Sequence, residues 1–98
     1  MNQPDADACL HATVRGRVQG VGFRAFVQQW GVQLRLAGWV RNRWDGTVEL
    51  MAEGSRENLE KLLNLLKIGP RSSSVQHVDT EWLAPSGEFI GFSVRRTD

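Results

Sequence analysis

The sequence predicts an α+β fold of the split βαβ type, an antiparallel sheet carrying two helices on one face. Three observations lead there. Apolar and polar residues alternate in several short stretches, which is the period of a half-buried strand. Apolar residues recur at helical spacing in two longer stretches, one ending near Leu34 and one beginning after Ser55. The elements then follow in the order strand, helix, strand, strand, helix, strand, with a short extra strand at the end.

The first strand is expected over residues 10–18. Leu10, Ala12, Val14, Gly16 and Val18 share one parity, and His11, Thr13, Arg15 and Arg17 share the other. Gln19-Gly20-Val21-Gly22 breaks the alternation, and two glycines in four residues mark a loop. Phe23, Phe26, Val27, Trp30 and Leu34 then fall on one face of a helix expected over about residues 22–34. Residues 36–43 read as a second strand. Asp45-Gly46 marks a tight turn, and Val48, Leu50 and Ala52 alternate after it, so a hairpin is expected. Ser55 is a good N-cap for a second helix, with Glu57 in the first turn. Leu59, Leu62, Leu63 and Leu66 form its stripe, and Gly69-Pro70 stops it. Residues 71–74 are expected as a flexible link and residues 75–83 as a strand with Val78 and Trp82 toward the core. Residues 85–88 read as a turn, and 90–94 as the short last strand. This order is the ferredoxin-like arrangement.

Composition excludes several functions. The 98 residues make one domain, residues 9–98, with a core of modest size. A formal net charge of +1 is too small to argue for a nucleic-acid or membrane partner. One cysteine, Cys9, rules out an internal disulfide and disfavours a cysteine-based zinc site. No apolar run spans a bilayer. Residues 1–8 are polar and acidic, read as no signal peptide, and are expected to fray. A cytoplasmic monomer is the resulting expectation.

The informative segment is Gly16-Arg17-Val18-Gln19-Gly20-Val21-Gly22-Phe23-Arg24, which joins a strand to a helix N-terminus. Backbone N–H groups in such a loop can turn inward as an anion nest, and the helix adds its positive dipole end. Arg24 lies in the first turn, where a cation is misplaced unless an anion is bound beside it. Its guanidinium can grip two phosphoryl oxygens. The loop is neither a Walker loop nor a dinucleotide fingerprint, because the spacing fails for both. Asn42 ends the second strand. Strands one and two, joined through a helix, run parallel, so their C-terminal ends share one edge and face a common crevice. An amide there can accept a hydrogen bond from water and donate one to a ligand oxygen.

These residues carry a family resemblance. Val14-Arg15-Gly16-Arg17-Val18-Gln19-Gly20-Val21-Gly22-Phe23-Arg24 resembles the first signature of the acylphosphatase family. Gly38-Trp39-Val40-Arg41-Asn42, then Asp45-Gly46-Thr47-Val48 and Gly54, resembles the second, and the spacing is kept in both. The likeness continues through Gly69-Pro70 to Gly91-Phe92. It implies hydrolysis of a carboxyl phosphate to carboxylate and inorganic phosphate, without metal or organic cofactor. By this resemblance Arg24 binds the phosphoryl group, Asn42 orients the water, and Gln19, Gly20, Val21, Gly22 and Phe23 form the amide cradle. Two departures stand out. The family usually has Leu-Gly-Leu where this chain has Leu34-Arg35-Leu36, so Arg35 must accept a left-handed conformation or close the helix differently. Trp30-Gly31-Val32 is also unusual within the helix.

Other residues have plainer readings. His11 and His77 lie in strands as core or surface residues, and Cys9 is a small apolar residue. Arg15, Arg17, Arg41 and Arg43 are expected around the crevice, steering anions or serving solubility. Two alternatives remain at this level. One is an RNA-binding sheet using Trp39 and Trp44, although an aromatic-rich RNP strand is missing. The other is a non-catalytic phosphate or carbamoyl-phosphate binder using the same loop.

Overall fold

The structure is a computed structural model and describes residues 7–98. Period-two alternation becomes β1, Ala8–Arg17, with Ala8, Leu10, Ala12 and Val14 buried. The first helical stripe becomes α1, Phe23–Gln33, with Phe23, Val27 and Gly31 buried. The hairpin is β2, Ala37–Asn42, and β3, Val48–Gly54, paired antiparallel. Its turn closes where the Gly46 N–H donates to the Arg43 carbonyl at 3.1 Å. The second stripe becomes α2, Arg56–Ile68, capped by the Ser55 hydroxyl, which accepts from the Asn58 N–H at 3.2 Å. β4, Ser74–Leu83, and β5, Phe92–Val94, complete the chain.

The five strands form one sheet in the order β4-β1-β3-β2-β5. β1 pairs antiparallel with β3 and β4, and β3 with β2. β1 and β2 therefore run in the same direction with β3 between them, and their C-terminal ends share one edge. The core lies between the sheet and both helices, where Leu10, Val14, Val27, Val40, Leu50, Leu59, Leu62 and Leu66 are fully buried or nearly so. Burial of each such side chain stabilises the fold by about 1.5–3 kcal/mol relative to exposure. Val78 and Trp82 pack against this core from β4.

Three expectations change. The sheet is antiparallel except at one edge, where β5 runs parallel to β2. β4 and β5 lie on opposite edges, so the link between them must cross the end of the sheet before re-entering. Glu53 pins that link: its carboxylate accepts from the Ser86 N–H and hydroxyl, each at 2.7 Å, and from the Gly87 N–H at 2.9 Å. The last strand starts at Phe92 instead of residue 90, and Ile90 is 97% exposed. At the N-terminus, residues 1–6 of the expected frayed segment lie outside the described residues. Its last two residues are built into the fold: Ala8 pairs with Gly54, the Asp7 N–H donates to the Gly54 carbonyl at 3.0 Å, and the Asp7 carboxylate accepts from the Arg56 N–H at 2.6 Å.

The two departures in α1 have structural answers. Arg35 sits at φ 57°, the left-handed region, and α1 ends in a Schellman motif. The Leu36 N–H donates to the Gly31 carbonyl at 2.8 Å, and the Arg35 N–H to the Val32 carbonyl at 3.0 Å. Gly31 lets α1 approach β5: a Cβ there would lie 2.5–2.8 Å from three atoms of the Phe92 ring.

Candidate active site

The loop after β1 reaches α1 through two residues in the left-handed region, Gly20 at φ 73° and Gly22 at φ 79°. A Cβ at either would meet nothing within 4 Å, so backbone conformation, and not space, is what calls for glycine. Gly22 is the N-cap of α1, where no side chain caps the helix and no acid occupies the first turn. The N–H groups of Phe23, Arg24 and Ala25 precede the first intrahelical bond, which runs from the Phe26 N–H to the Gly22 carbonyl at 3.1 Å. Three orphan donors, the dipole end and Arg24 thus gather at one point. Among the described residues no carboxylate lies within ion-pair distance of Arg24.

Strand parity brings Asn42 to the same place. Gly38, Val40 and Asn42 share one face of β2, and Val40 points into the core beneath the helices. Asn42 is the last residue of that face, at the edge where the loop begins. Its carbonyl accepts from the Asp98 N–H at 3.0 Å, and it pairs with Val48 across the hairpin, so its backbone is held on both sides. A recess of about 270 Å³ opens between these elements, lined by Gly20, Gly22, Phe23, Arg24, Ala25 and Asn42, with Val18 and Val94 completing it.

The loop and the strand end are tied directly. The Gln19 amide donates to the Arg43 carbonyl at 2.7 Å and to the Thr47 carbonyl at 2.9 Å. Asp45 braces the same turn by accepting from the Thr47 hydroxyl at 2.7 Å and its N–H at 3.0 Å. Those two bonds, the hydroxyl's first, hold the Asp45 carboxyl below its ordinary range.

The chain is similar to known proteins along most of its length. The family model for acylphosphatase matches residues 10–94. The chain belongs to the acylphosphatase family. An acylphosphatase from Koribacter versatilis (strain Ellin345) is 54% identical over 84 residues, covering 86% of this chain and 76% of the relative. One from Salinibacter ruber (strain DSM 13855 / M31) is 47% identical over 87 residues, 89% of this chain and 92% of the relative. The crystal structure of acylphosphatase from Bacillus subtilis has a TM-score of 0.87 and 39% identity, covering 90% of this chain and 98% of that one.

Within this acylphosphatase fold, the residues singled out in the sequence separate into two groups. Gly20, Gly22, Phe23, Arg24 and Asn42 line the recess together. Gln19 and Val21 do not line it, and the Gln19 side chain serves as the tie to the hairpin. Val18 and Val94 line it without having been singled out, and an apolar side chain carries no sequence signal for such a role. The arginines expected around the crevice belong mostly to the other face of the sheet, by parity. Arg15 pairs with Asp79 at 2.6 Å, and Arg41 and Arg43 pair with Glu49 at 2.8 and 3.0 Å.

That other face carries its own network. Glu49, only 8% exposed, also accepts from His11 Nε2 at 2.7 Å. Burial pushes its carboxyl up, and the hydrogen bonds from His11, Arg41 and Arg43 more than reverse this, leaving it at about 2. Trp39 is buried under the guanidiniums of Arg41 and Arg95, whose Cζ atoms lie 4.8 and 4.6 Å from the ring centroid. It therefore offers no open ring for base stacking. Burial, aided by the Glu53 carboxylate, pushes the Cys9 thiol up to about 11, which keeps it protonated and poorly nucleophilic. Among the described residues no group of His, Cys, Asp and Glu is arranged to hold a metal ion, and no helix is long and apolar enough to cross a membrane.

Proposed function

We propose that this chain hydrolyses acyl phosphates to a carboxylate and inorganic phosphate by direct attack of water. The observation that carries the reading is the convergence of Arg24, the uncapped α1 N-terminus and Asn42 on one recess. The phosphoryl group lies in the recess beside Gly20, Gly22 and Phe23, held by the backbone N–H groups at the start of α1 and by the Arg24 guanidinium. Asn42 accepts a hydrogen bond from the attacking water and sets its line of approach. The water oxygen bonds to phosphorus as the bond to the acyl oxygen breaks. The bond's electron pair leaves with the carboxylate, and the water proton passes to a phosphoryl oxygen.

Such a reaction asks little of the protein. A carboxylate departs without protonation, so no general acid is needed. Positioning and charge stabilisation supply the rate. The equatorial oxygens keep their charge in a loose transition state, where fixed donors stabilise it without reorganising. Metal-independent action by a monomer on a small-molecule acyl phosphate, in the cytoplasm, is part of the same proposal.

The test is phosphate release from benzoyl phosphate in EDTA, comparing wild type with Arg24→Ala while circular dichroism monitors the fold. We expect turnover in the wild type and its near-complete loss in the variant. A folded wild type that releases no phosphate would overturn the reading. Titration with phosphate and carbamoyl phosphate would then measure the chain as a binding module.

A further inference from the structure

β5 pairs with β2 only along Gly38, Trp39 and Val40, so that ladder stops two residues short of Asn42. The bond that follows it runs from the Arg95 N–H to the Val40 carbonyl at 2.8 Å. The chain then leaves the strand and returns to β2 at Asp98. The Asp98 N–H donates to the Asn42 carbonyl at 3.0 Å, and the Asp98 main-chain oxygen accepts from the Trp44 N–H at 3.2 Å. The Asp98 carboxylate meets Arg41 Nη1 at 2.9 Å. One residue thus holds positions 41, 42 and 44, around the asparagine that lines the recess. Arg41 and Asn42 are neighbours on a strand, so their side chains point to opposite faces of the sheet. Asp98 reaches the edge between them and ties Asn42 to the Glu49 network, because Glu49 holds Arg41 Nε at 2.8 Å. Asp98 also lies beyond the segment that the family model matches.

The hairpin side of Asn42 is braced separately. Val48 pairs with it, and Gln19 and Asp45 hold the turn that follows. On the β5 side its carbonyl is held by Asp98. A strand end held on one side only pivots about that side, and a shift of about 1 Å at a positioning group costs about 100-fold in rate. We propose that Asp98 is a positioning residue for the hydrolysis, holding the Asn42 main chain so that its amide meets the attacking water in line with phosphorus. This rests on the acylphosphatase reading and extends it to a residue that does not line the recess. The main-chain bond carries the effect, and the ion pair adds little, because the Asp98 side chain is 71% exposed. Arg24 is carried by α1, and none of the three Asp98 contacts reaches that helix. Phosphoryl binding is therefore untouched, and loss of Asp98 falls on kcat.

The test is steady-state hydrolysis of benzoyl phosphate by wild type, by Asp98→Pro and by a chain ended after Arg96, each also made with Asn42→Ala. Proline removes the N–H donor, and ending the chain removes all three contacts. We expect each change to lower kcat about tenfold and to alter KM by less than about twofold. With Asn42→Ala already present, neither should lower kcat by more than about twofold, because Asp98 acts through Asn42. Asp98→Asn keeps the N–H and should recover kcat to within about threefold of wild type. If the shortened chain unfolds by circular dichroism, Asp98→Pro and Asp98→Asn carry the same comparison. Equal loss with and without Asn42→Ala, the result of a general loosening of the sheet, would overturn the positioning role. Normal turnover by both wild type and Asp98→Pro would also overturn it and leave the hydrolase intact. A folded wild type without turnover would overturn both readings.

Discussion

At the scale of single residues, the proposed mechanism divides the work at phosphorus between Arg24 and Asn42. In that proposal Arg24 binds charge present in both ground and transition states, whereas the Asn42 amide acts on water only along the path of attack. Asn42→Ala should therefore lower kcat for benzoyl phosphate by about 100-fold or more and change KM by less than about threefold. Steady-state kinetics checks this, and a kcat within a factor of ten of wild type would remove the water-positioning role. Gln19 acts differently, since its side chain bonds two hairpin carbonyls and not the recess. Gln19→Ala leaves both without that donor. We expect a loss of about 1–2 kcal/mol in urea unfolding. An unchanged midpoint would mean the tie is not stabilising.

At the scale of elements, α1 carries the two departures, and magnitudes decide their signs. Arg35 holds a left-handed conformation that glycine adopts without a Cβ penalty. Arg35→Gly keeps the Schellman bonds and should raise stability by about 0.5–1 kcal/mol, read by thermal or urea unfolding. Gly31 is the opposite case. Alanine there gains about 1 kcal/mol in helix propensity. The new methyl, however, would press on the buried Phe92 ring at 2.5–2.8 Å. Overpacking of that kind costs about 1–3 kcal/mol, so Gly31→Ala should be neutral to destabilising. A clear gain in unfolding midpoint would show that Phe92 moves freely, contrary to its burial.

At the scale of the whole molecule, the sheet separates its charges by face. The helix side ends in the recess lined by Arg24 and Asn42, while the open side is locked by Glu49 against His11, Arg41 and Arg43. The Glu49 carboxyl ionises at about 2 in the fold against 4.5 as its ordinary value. A depressed carboxylate contributes stability that is present above the ordinary value and is lost as pH falls toward the folded one. Glu49 should thus withdraw about 2 kcal/mol of stability between pH 7 and pH 3. Urea unfolding at both pH values checks this, with Glu49→Gln as the comparison. The variant should be less stable at pH 7 and lose less on acidification. An equal loss in both proteins would place the acid sensitivity elsewhere.

The sequence by itself determined the order of elements, both helical stripes, the Ser55 cap, the hairpin turn and the loop that ends at Arg24. Each is encoded by neighbours within a few residues, through periodicity or turn chemistry, and the family resemblance adds the two signatures. It also flagged Arg35 and Gly31 as departures without saying what either does. Only the tertiary structure decided that Gly31 makes room for Phe92, because those residues are far apart in the chain and meet only when β5 docks. The same holds for β5 running parallel to β2, for the Gln19 tie, and for Val94 lining the recess. The arginines at positions 15, 41 and 43 were read as neighbours of the crevice because they are close to it in sequence. Strand parity puts them on the opposite face, where a carboxylate contributed by another strand claims each one. Local signals are written in adjacent residues, whereas partners across a sheet are fixed by register and strand order, which exist only once the chain has folded.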